Sequence, residues 1–297
     1  MISCLLCGGL GNQLFMVFAT IAAAIQYKIP FLFPSNLIYN NQNTKRNTYY
    51  DSVFKHISPF FSTTFEQLTD STKENAFAIL RMTHHEYRDI IIQDIYTNVC
   101  LFGYFQSYKY FHQYTENILK MMRINDQNER VEYQMQQYFP DFKDEFSISM
   151  HFRLGDYVNI QHCHNVLPAT YYKNAIQRLL ETNPISNVEN IMIYVFCESA
   201  DWDAVKQTLD DIQRTFPLRY KRVQIFDKDY EEMLCMSLCT YNIIANSTFS
   251  WWGAYLNKRA SMENTVFYPS QWFGPTLART SNTDDMFLPN WTKIQIH

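Results

Sequence analysis

Residues 147–157 read Ser-Ile-Ser-Met-His-Phe-Arg-Leu-Gly-Asp-Tyr, and this stretch puts an imidazole, a guanidinium and a carboxylate within one short span. Phe146 to Phe152 alternates apolar and polar residues as a buried strand does. His151, Arg153 and Asp156 then fall where that strand runs into a loop, with Gly155 permitting the turn. In open α/β sheets this edge, outside the carboxyl ends of the strands, is where ligands bind. A guanidinium there suits a phosphate, because its planar fork donates two parallel charge-assisted hydrogen bonds. The same residues also allow a plainer arrangement, an Arg–Asp pair that closes the turn and binds nothing.

Two further stretches could meet an anion. Asn246-Ser247-Thr248-Phe249-Ser250 follows an apolar run and opens a helical pattern, so backbone N–H groups and three hydroxyls converge there. Ser and Thr also cap most helices, so the pattern alone fits simple capping. Gly8, Gly9 and Gly11 turn the chain after its first apolar run, and Gly11, Asn12 and Gln13 present backbone and amides at a helix start. Leu14 stands where a dinucleotide fingerprint needs its third glycine, and no G-x₄-G-K-[ST] loop occurs. Asp201-Trp-Asp203 and Asp227-Lys-Asp229 have a spacing that can hold a divalent metal. Asp201 and Asp203 fit the start of a helix better, where carboxylates meet its dipole. Asp227 ends an expected strand, Arg222 to Phe226, and Asp229 starts the next helix.

The elements that would carry these groups come in a regular order. Strand Ile2–Cys7, a helix from Asn12 with Leu14, Phe18, Ile21 and Ile25 on one face, and strand Phe31–Phe33 make a βαβ opening. Residues 35–98 are the least legible, with Asn36 to Tyr50 a polar loop. Val99–Phe105 resembles a strand, and Tyr110, Phe111, Tyr114, Ile118 and Met121 form a helical stripe. A helix over Glu129–Tyr138 stops near Pro140, and Pro140–Glu145 reads as a boundary between a lobe of residues 1–140 and one of residues 141–297. Beyond it come strands 146–152, 191–197, 222–226, 241–245 and 264–268. Helices over 169–181, 201–214, 229–239 and 250–258 alternate with them. Five strands and four helices in alternation make a doubly wound parallel sheet.

Composition narrows the class. With 47% hydrophobic and 18% charged residues, the 297-residue chain can bury an ample core. A net charge of −4 argues against nucleic acid as a partner. The 7 cysteines lack the spacing of a disulfide framework. Cys4/Cys7 and Cys235/Cys239 read as buried thiols, not a zinc site, and no metal site is expected. No run approaches a membrane span, and Met1–Cys7 is too short and uncharged for a signal peptide. A few of the 23 Phe and 21 Tyr residues could line a sugar cleft, while Trp251 and Trp252 read as packing between sheet and helix.

His-Phe-Arg-Leu-Gly-Asp-Tyr resembles the His-x-Arg-Arg-x-Asp signature of the α-1,2-fucosyltransferases, glycosyltransferase family 11. Gly8-Gly-Leu-Gly-Asn-Gln-Leu-Phe15, Gly103-Tyr-Phe-Gln-Ser-Tyr-Lys-Tyr-Phe111 and Ile244-Ala-Asn-Ser-Thr-Phe-Ser-Trp-Trp-Gly-Ala-Tyr-Leu256 are similar to the same family, in the expected order. Leu154 departs from it, standing where a second arginine is common. The resemblance implies the GT-B architecture, two Rossmann-like lobes facing across a cleft, and a soluble cytoplasmic protein like the bacterial or viral members. It implies inverting transfer of L-fucose from GDP-β-L-fucose to the 2-hydroxyl of a terminal β-galactose. GDP-fucose is then a co-substrate, with no cofactor or metal. His151, Arg153, Asp227 and Asn246–Ser250 would hold the donor. Asp227 would accept from the guanine edge, as a strand-end acid does in related fucosyltransferases. Arg153, Asp156 and Asn12 would be catalytic, and Gly11, Asn12 and Gln13 would face the acceptor from the N-terminal lobe. A fucosyltransferase of another linkage (protein O-linked or α-1,6) and a sugar-nucleotide or glycan-binding protein without turnover are the alternatives.

Overall fold

The computed structural model describes residues 1–35, 49–62, 77–82, 86–94, 97–143, 146–183, 185 and 190–296. The chain gathers into two compact units, Met1–Asp126 with Asn282–Phe287, and Gln127–Ser281 with Leu288–His297. The expected loop Asn36 to Tyr50 lies outside the described residues except for Tyr49 and Tyr50.

In the first unit β1 (Ile2–Cys4) pairs in parallel with β5 (Val99–Phe102), which pairs in parallel with β4 (Ala78–Arg81). A separate parallel pair joins β2 (Phe33–Pro34) to β3 (Phe61–Ser62). Helix α1 (Leu10–Tyr27) starts at Leu10, two residues ahead of the expected Asn12, with Gly9 at its N-cap. Contrary to the sequence expectation, its 18 residues, of mean hydropathy 1.3, are long and apolar enough to cross a membrane by length and composition alone. They are 78% buried inside the protein, as a core helix is. Phe15 and Phe18 of α1 meet the ring of Phe111 at 5.9 and 5.4 Å. The stripe from Tyr110 begins as two 3₁₀ turns and becomes regular only at α2 (Thr115–Met122).

The division between the units falls in the first turn of α3 (Ile124–Tyr138). The second unit then alternates strand and helix: β6 (Phe146–His151), α4 (Ala169–Thr182), β7 (Ile191–Phe196), α5 (Trp202–Thr215) and β8 (Arg219–Arg222). It continues through α6 (Asp229–Leu238), β9 (Tyr241–Ile243), α7 (Thr248–Tyr255), β10 (Val266–Pro269), α8 (Pro275–Ala278) and β11 (Thr292–Ile294). Its six strands form one parallel sheet in the order β11-β10-β9-β6-β7-β8. The expectation was five; β11 is too short for any period to show.

One expected strand is misplaced. Of the expected Arg222–Phe226 only Arg222 lies in β8, whose residues are Arg219–Arg222, and the ladder ends where Val223 N donates to Val195 O at 3.0 Å. β8 is the edge strand, so polar Arg-Tyr-Lys-Arg is tolerated there, while the apolar residues Val223, Ile225 and Phe226 that drew the expected strand lie past it.

The core lies against β6 and β7, with Tyr171, Tyr172, Ile176 and Leu179 of α4 fully covered. The Tyr171 hydroxyl donates to Ile244 O at 2.6 Å and that of Tyr172 to His151 O at 3.1 Å. Both helix-borne phenols thereby fix the strand ends that lead into the loops. On the other side a polar knot joins β6, β9, α6 and Asn257, just past the end of α7. Asn242 Nδ2 donates to Ser149 Oγ at 2.6 Å and Met236 O at 2.8 Å, and Asn257 Nδ2 donates to Asn242 Oδ1 at 2.7 Å. Asn242 is 0% exposed. Asn242→Ala should strand these partners and destabilise the fold by about 1–3 kcal/mol for each group left unpaired. Urea denaturation should show a lowered midpoint with an unchanged m-value.

Candidate active site

The second unit's sheet reverses direction once. β6 comes first in sequence, β7 and β8 extend the sheet to one side of it, and β9, β10 and β11 extend it to the other. The carboxyl ends of β6 and β9 therefore flank a topological switch point, the place where open parallel sheets leave a crevice for a ligand. His151 ends β6 and Ala245–Ser250 follow β9. The His151 and Phe249 rings lie 5.6 Å apart, so the two segments meet.

Arg153 stands two residues beyond β6. Its Nη2 donates to Asp156 Oδ1 and its Nη1 to Glu198 Oε1, and its guanidinium lies 5.2 Å from the centre of the Tyr157 ring. Burial pushes its pKa down, but the Asp156 and Glu198 carboxylates more than offset this and raise it. Gly155 has φ +39°, and its N–H donates to Asp201 Oδ2 at 2.9 Å. The loop is thus tied to the turn that follows β7. The Arg153–Asp156 pair exists, as the plainer arrangement required, and the pair stands at the ligand edge.

After β9, Ser247 caps α7, its Oγ accepting from Phe249 N at 3.3 Å. Ser250 Oγ, 1% exposed, turns back to Ala245 O and Ser247 O. Asn246, also 1% exposed, donates through Nδ2 to Asn165 O at 2.8 Å and Trp272 O at 3.2 Å. These side chains brace the segment from within. The backbone is partly spent inward as well, Ser247 N donating to Ala245 O at 2.8 Å, while Thr248 and Phe249 are half-buried at the start of α7. Trp251 and Trp252 are fully buried packing residues, as their position in the sequence suggested.

Other expected residues sit elsewhere. Asp227 is exposed and does not end a strand, lying five residues past Arg222 just before α6. The half-buried carboxylate nearer the strand ends is Glu232 on α6. Burial first, then the charge of Asp229, push it up to about 7, with Arg222 pulling the other way. Asn12 and Gln13 open α1 in the first unit, with Gly11 between Leu10 and Asn12. Asn12 Oδ1 accepts from Gln106 Nε2 at 2.9 Å, and Gln13 Nε2 donates to Gly8 O at 3.0 Å. Gly8 has φ +77°, and a Cβ on it would come within 2.6 Å of Asn12 Nδ2. That close approach is why a glycine stands there.

The profile for Glycosyl transferase family 11 matches residues 53–295. The chain belongs to glycosyltransferase family 11. It is 26% identical to the O-antigen biosynthesis glycosyltransferase WbnK of Escherichia coli, over 99% of this chain and 100% of that protein. It is 26% identical to an alpha-1,2-colitosyltransferase of Escherichia coli, over 72% of this chain and 69% of the relative. A galactoside 2-alpha-L-fucosyltransferase of Caenorhabditis elegans is 22% identical, over 97% of this chain and 75% of the worm protein. Membership of the family implies a nucleotide-sugar donor and a glycan acceptor.

Three groups around Arg153 of this family 11 glycosyltransferase escape a reading of the sequence: Glu198, Asp201 as a partner of Gly155, and the Tyr157 ring. A signal for Glu198 was present, since it follows the buried strand β7 as Arg153 follows β6. Asp201 is the N-cap of α5 and Asp203 lies in its first turn, where they were expected.

His151 is buried at the centre of this arrangement. Burial first, then the Arg153 charge, push its pKa down to about 3, so it is neutral at ordinary pH. Its folded pKa lies below the unfolded value, so the unfolded chain binds the extra proton between pH 6.5 and about 3. Stability is therefore full above pH 6.5 and falls as pH drops through that window, at up to about 1.4 kcal/mol per pH unit. His151→Asn should lose less stability than wild type between pH 7 and pH 5 in urea titrations. Equal losses in the two proteins would mean that other groups govern the acid limb.

Proposed function

We propose that this chain transfers L-fucose from GDP-β-L-fucose to the 2-hydroxyl of a terminal β-galactose, with inversion at the anomeric carbon. The observation that carries the reading is the meeting, at the switch point, of the end of β6 with the start of α7, through His151 and Phe249, with Arg153 two residues past His151. This puts a guanidinium and helix-terminal amides at the edge where a diphosphate would lie. The worm relative named for galactoside 2-alpha-L-fucosyl transfer supports the choice of sugar and linkage.

In the proposed mechanism the acceptor hydroxyl displaces the nucleotide directly. As the C1–O bond breaks, negative charge grows on the β-phosphate. Arg153, with the amides at the start of α7 that Ala245 O and Ser247 Oγ do not already take, stabilises that charge more than it stabilises bound donor, which is what lowers the barrier. On this reading no metal is needed. The sugar centre resembles an oxocarbenium ion, so the acceptor proton leaves late, to solvent, and a strong base is unnecessary. Asp156 serves chiefly to orient Arg153. The guanine edge falls to a carboxylate on the same side of the sheet, Asp227 or the more enclosed Glu232. GDP titrations of Asp227→Ala and Glu232→Gln separate them, since only the reader should lose its preference for GDP over ADP. Gly11, Asn12 and Gln13 of the first unit are assigned to the acceptor.

A second reading keeps the linkage and changes the sugar, because one relative is named for α-1,2-colitosyl transfer. The decisive assay offers GDP-fucose and a colitosyl donor to a panel of galactosides and maps the linkage of any product. An α-1,2-fucosylated galactoside is expected. Another linkage, or turnover with the colitosyl donor alone, would replace the reading, and nucleotide binding without product would make the chain a binding protein.

Arg153→Ala should lower kcat about 10²–10³-fold, the range for removing one preorganised donor from a developing anion. Arg153→Lys should be nearly as poor, since an ammonium cannot reproduce the planar fork. Wild-type rates in both variants, with normal folding, would leave Arg153 a purely structural residue.

A further inference from the structure

Arg153 already holds two carboxylates. Nη2 is taken by Asp156 and Nη1 by Glu198, so one positive charge faces two negative ones. A diphosphate drawn to the guanidinium would meet excess negative charge unless one carboxylate withdraws.

The two carboxylates are unequal. Asp156 lies three residues along the same chain, inside the short 3₁₀ turn Gly155–Asn159, so it moves with Arg153. Glu198 comes from a different strand, two residues beyond β7; its side chain is 55% exposed and that of Asp156 51%, so what separates them is the chain connection to Arg153 and not exposure. Arg153 is itself only 24% exposed, so the pair is half-buried, and water can replace the guanidinium on the Glu198 side alone. Gly155 leaves room for that carboxylate, since a Cβ there would lie 3.2 and 3.3 Å from its two oxygens. The loop does not depend on Glu198 for its position, because Asp201 Oδ2 holds the Gly155 N–H independently.

We propose that Glu198 is a place-holding carboxylate, which occupies Nη1 of Arg153 in the empty protein and yields that nitrogen to a phosphate oxygen when the nucleotide-sugar donor binds. The inference rests on the reading of Arg153 as the phosphate ligand. Glu198 keeps the guanidinium spread between two partners instead of folded onto Asp156 alone, so the fork is oriented before the donor arrives. The same negative charge opposes the bound diphosphate, in the donor and in the nucleoside diphosphate product alike. Glu198 is thus a positioning residue that tunes affinity and product release, with no contact to the reacting sugar.

The test titrates GDP calorimetrically into wild type, Glu198→Gln, Arg153→Ala and Glu181→Gln, the last removing an equal charge from an exposed position on α4. Glutamine keeps an oxygen to accept from Nη1 and loses the charge. Glu198→Gln should bind GDP roughly two- to fivefold tighter than wild type at low salt, the factor that a partly exposed ion pair converts to. The advantage should shrink as ionic strength rises. The donor KM should fall in the same variant while kcat does not rise, and Glu181→Gln should match wild type. Unchanged or weaker GDP binding in Glu198→Gln would overturn the inference, since a merely structural partner of Arg153 predicts that result. Equal tightening in Glu181→Gln would overturn it too, by reducing the effect to net charge. If Arg153→Ala binds GDP as well as wild type, the assignment of Arg153 itself falls, and Glu198 with it.

Discussion

The parallel pairing of β6 with β9 is the constraint on which the site depends. Ile148, Ser149 and Met150 register with Tyr241, Asn242 and Ile243, so two segments about ninety residues apart end side by side. Arg153 and the start of α7 leave from those two ends, and Glu198 and Asp201 join them from the end of β7. A slip of one residue would exchange the faces of β9 and turn its buried side chains the wrong way. Backbone ladders do not forbid such a slip, but the Asn242–Ser149 bond and the Asn257–Asn242 bond do, since each works in one register only. A fully satisfied polar knot in an otherwise apolar interior gives specificity of this kind. The phenols of Tyr171 and Tyr172 anchor the same strand ends from the α4 side.

Once the ends are placed, local charge decides what they can do. Arg153 keeps its charge against burial because Asp156 and Glu198 lie beside it, and the same burial keeps His151 neutral next to it. A protonated His151 would double the positive charge in a covered space, which is unfavourable without a partner. The pair therefore divides the work: one ring that fills space against Phe249, and one cation that meets an anion. Tyr157 covers the guanidinium, and its hydroxyl reaches Asn246 O at 3.3 Å, so the β6 loop and the β9 loop are linked on this side too.

Legibility in the sequence follows how local each cause is. β6, β7, α4 and α5 were readable within a residue or two because strong periodicity and buried apolar residues coincide there. β8 and β11 were not, because edge strands need no apolar pattern and three residues cannot display a period. The displacement of β8 carried Asp227 away from the strand end assigned to it, while Glu232, on a helix, gave no strand-end signal. Arg153 and Asp156 were legible as neighbours in one turn. Glu198 belongs to their cluster through pairing of β7 with β6, a relation that no spacing in the chain records. Helix α1 shows the opposite error: its composition passes for a membrane span, and only its burial among Phe111 and the first unit's core gives it another cause.

The Asn246–Ser250 run shows how a motif can matter without presenting its side chains. Three of its five residues, Asn246, Ser247 and Ser250, spend their polar groups inward, on Asn165, Trp272 and the backbone of their own turn. Each such bond removes a way for the segment to relax, and together they hold the first turn of α7 at a set angle to the sheet. The amides of that turn are donors that no side-chain substitution short of proline removes. A site built in this way keeps its variable chemistry in one strand end, where Arg153 and its carboxylates stand, and its fixed chemistry in the other. Side chains there that look like ligands in the sequence are the means by which the backbone is aimed.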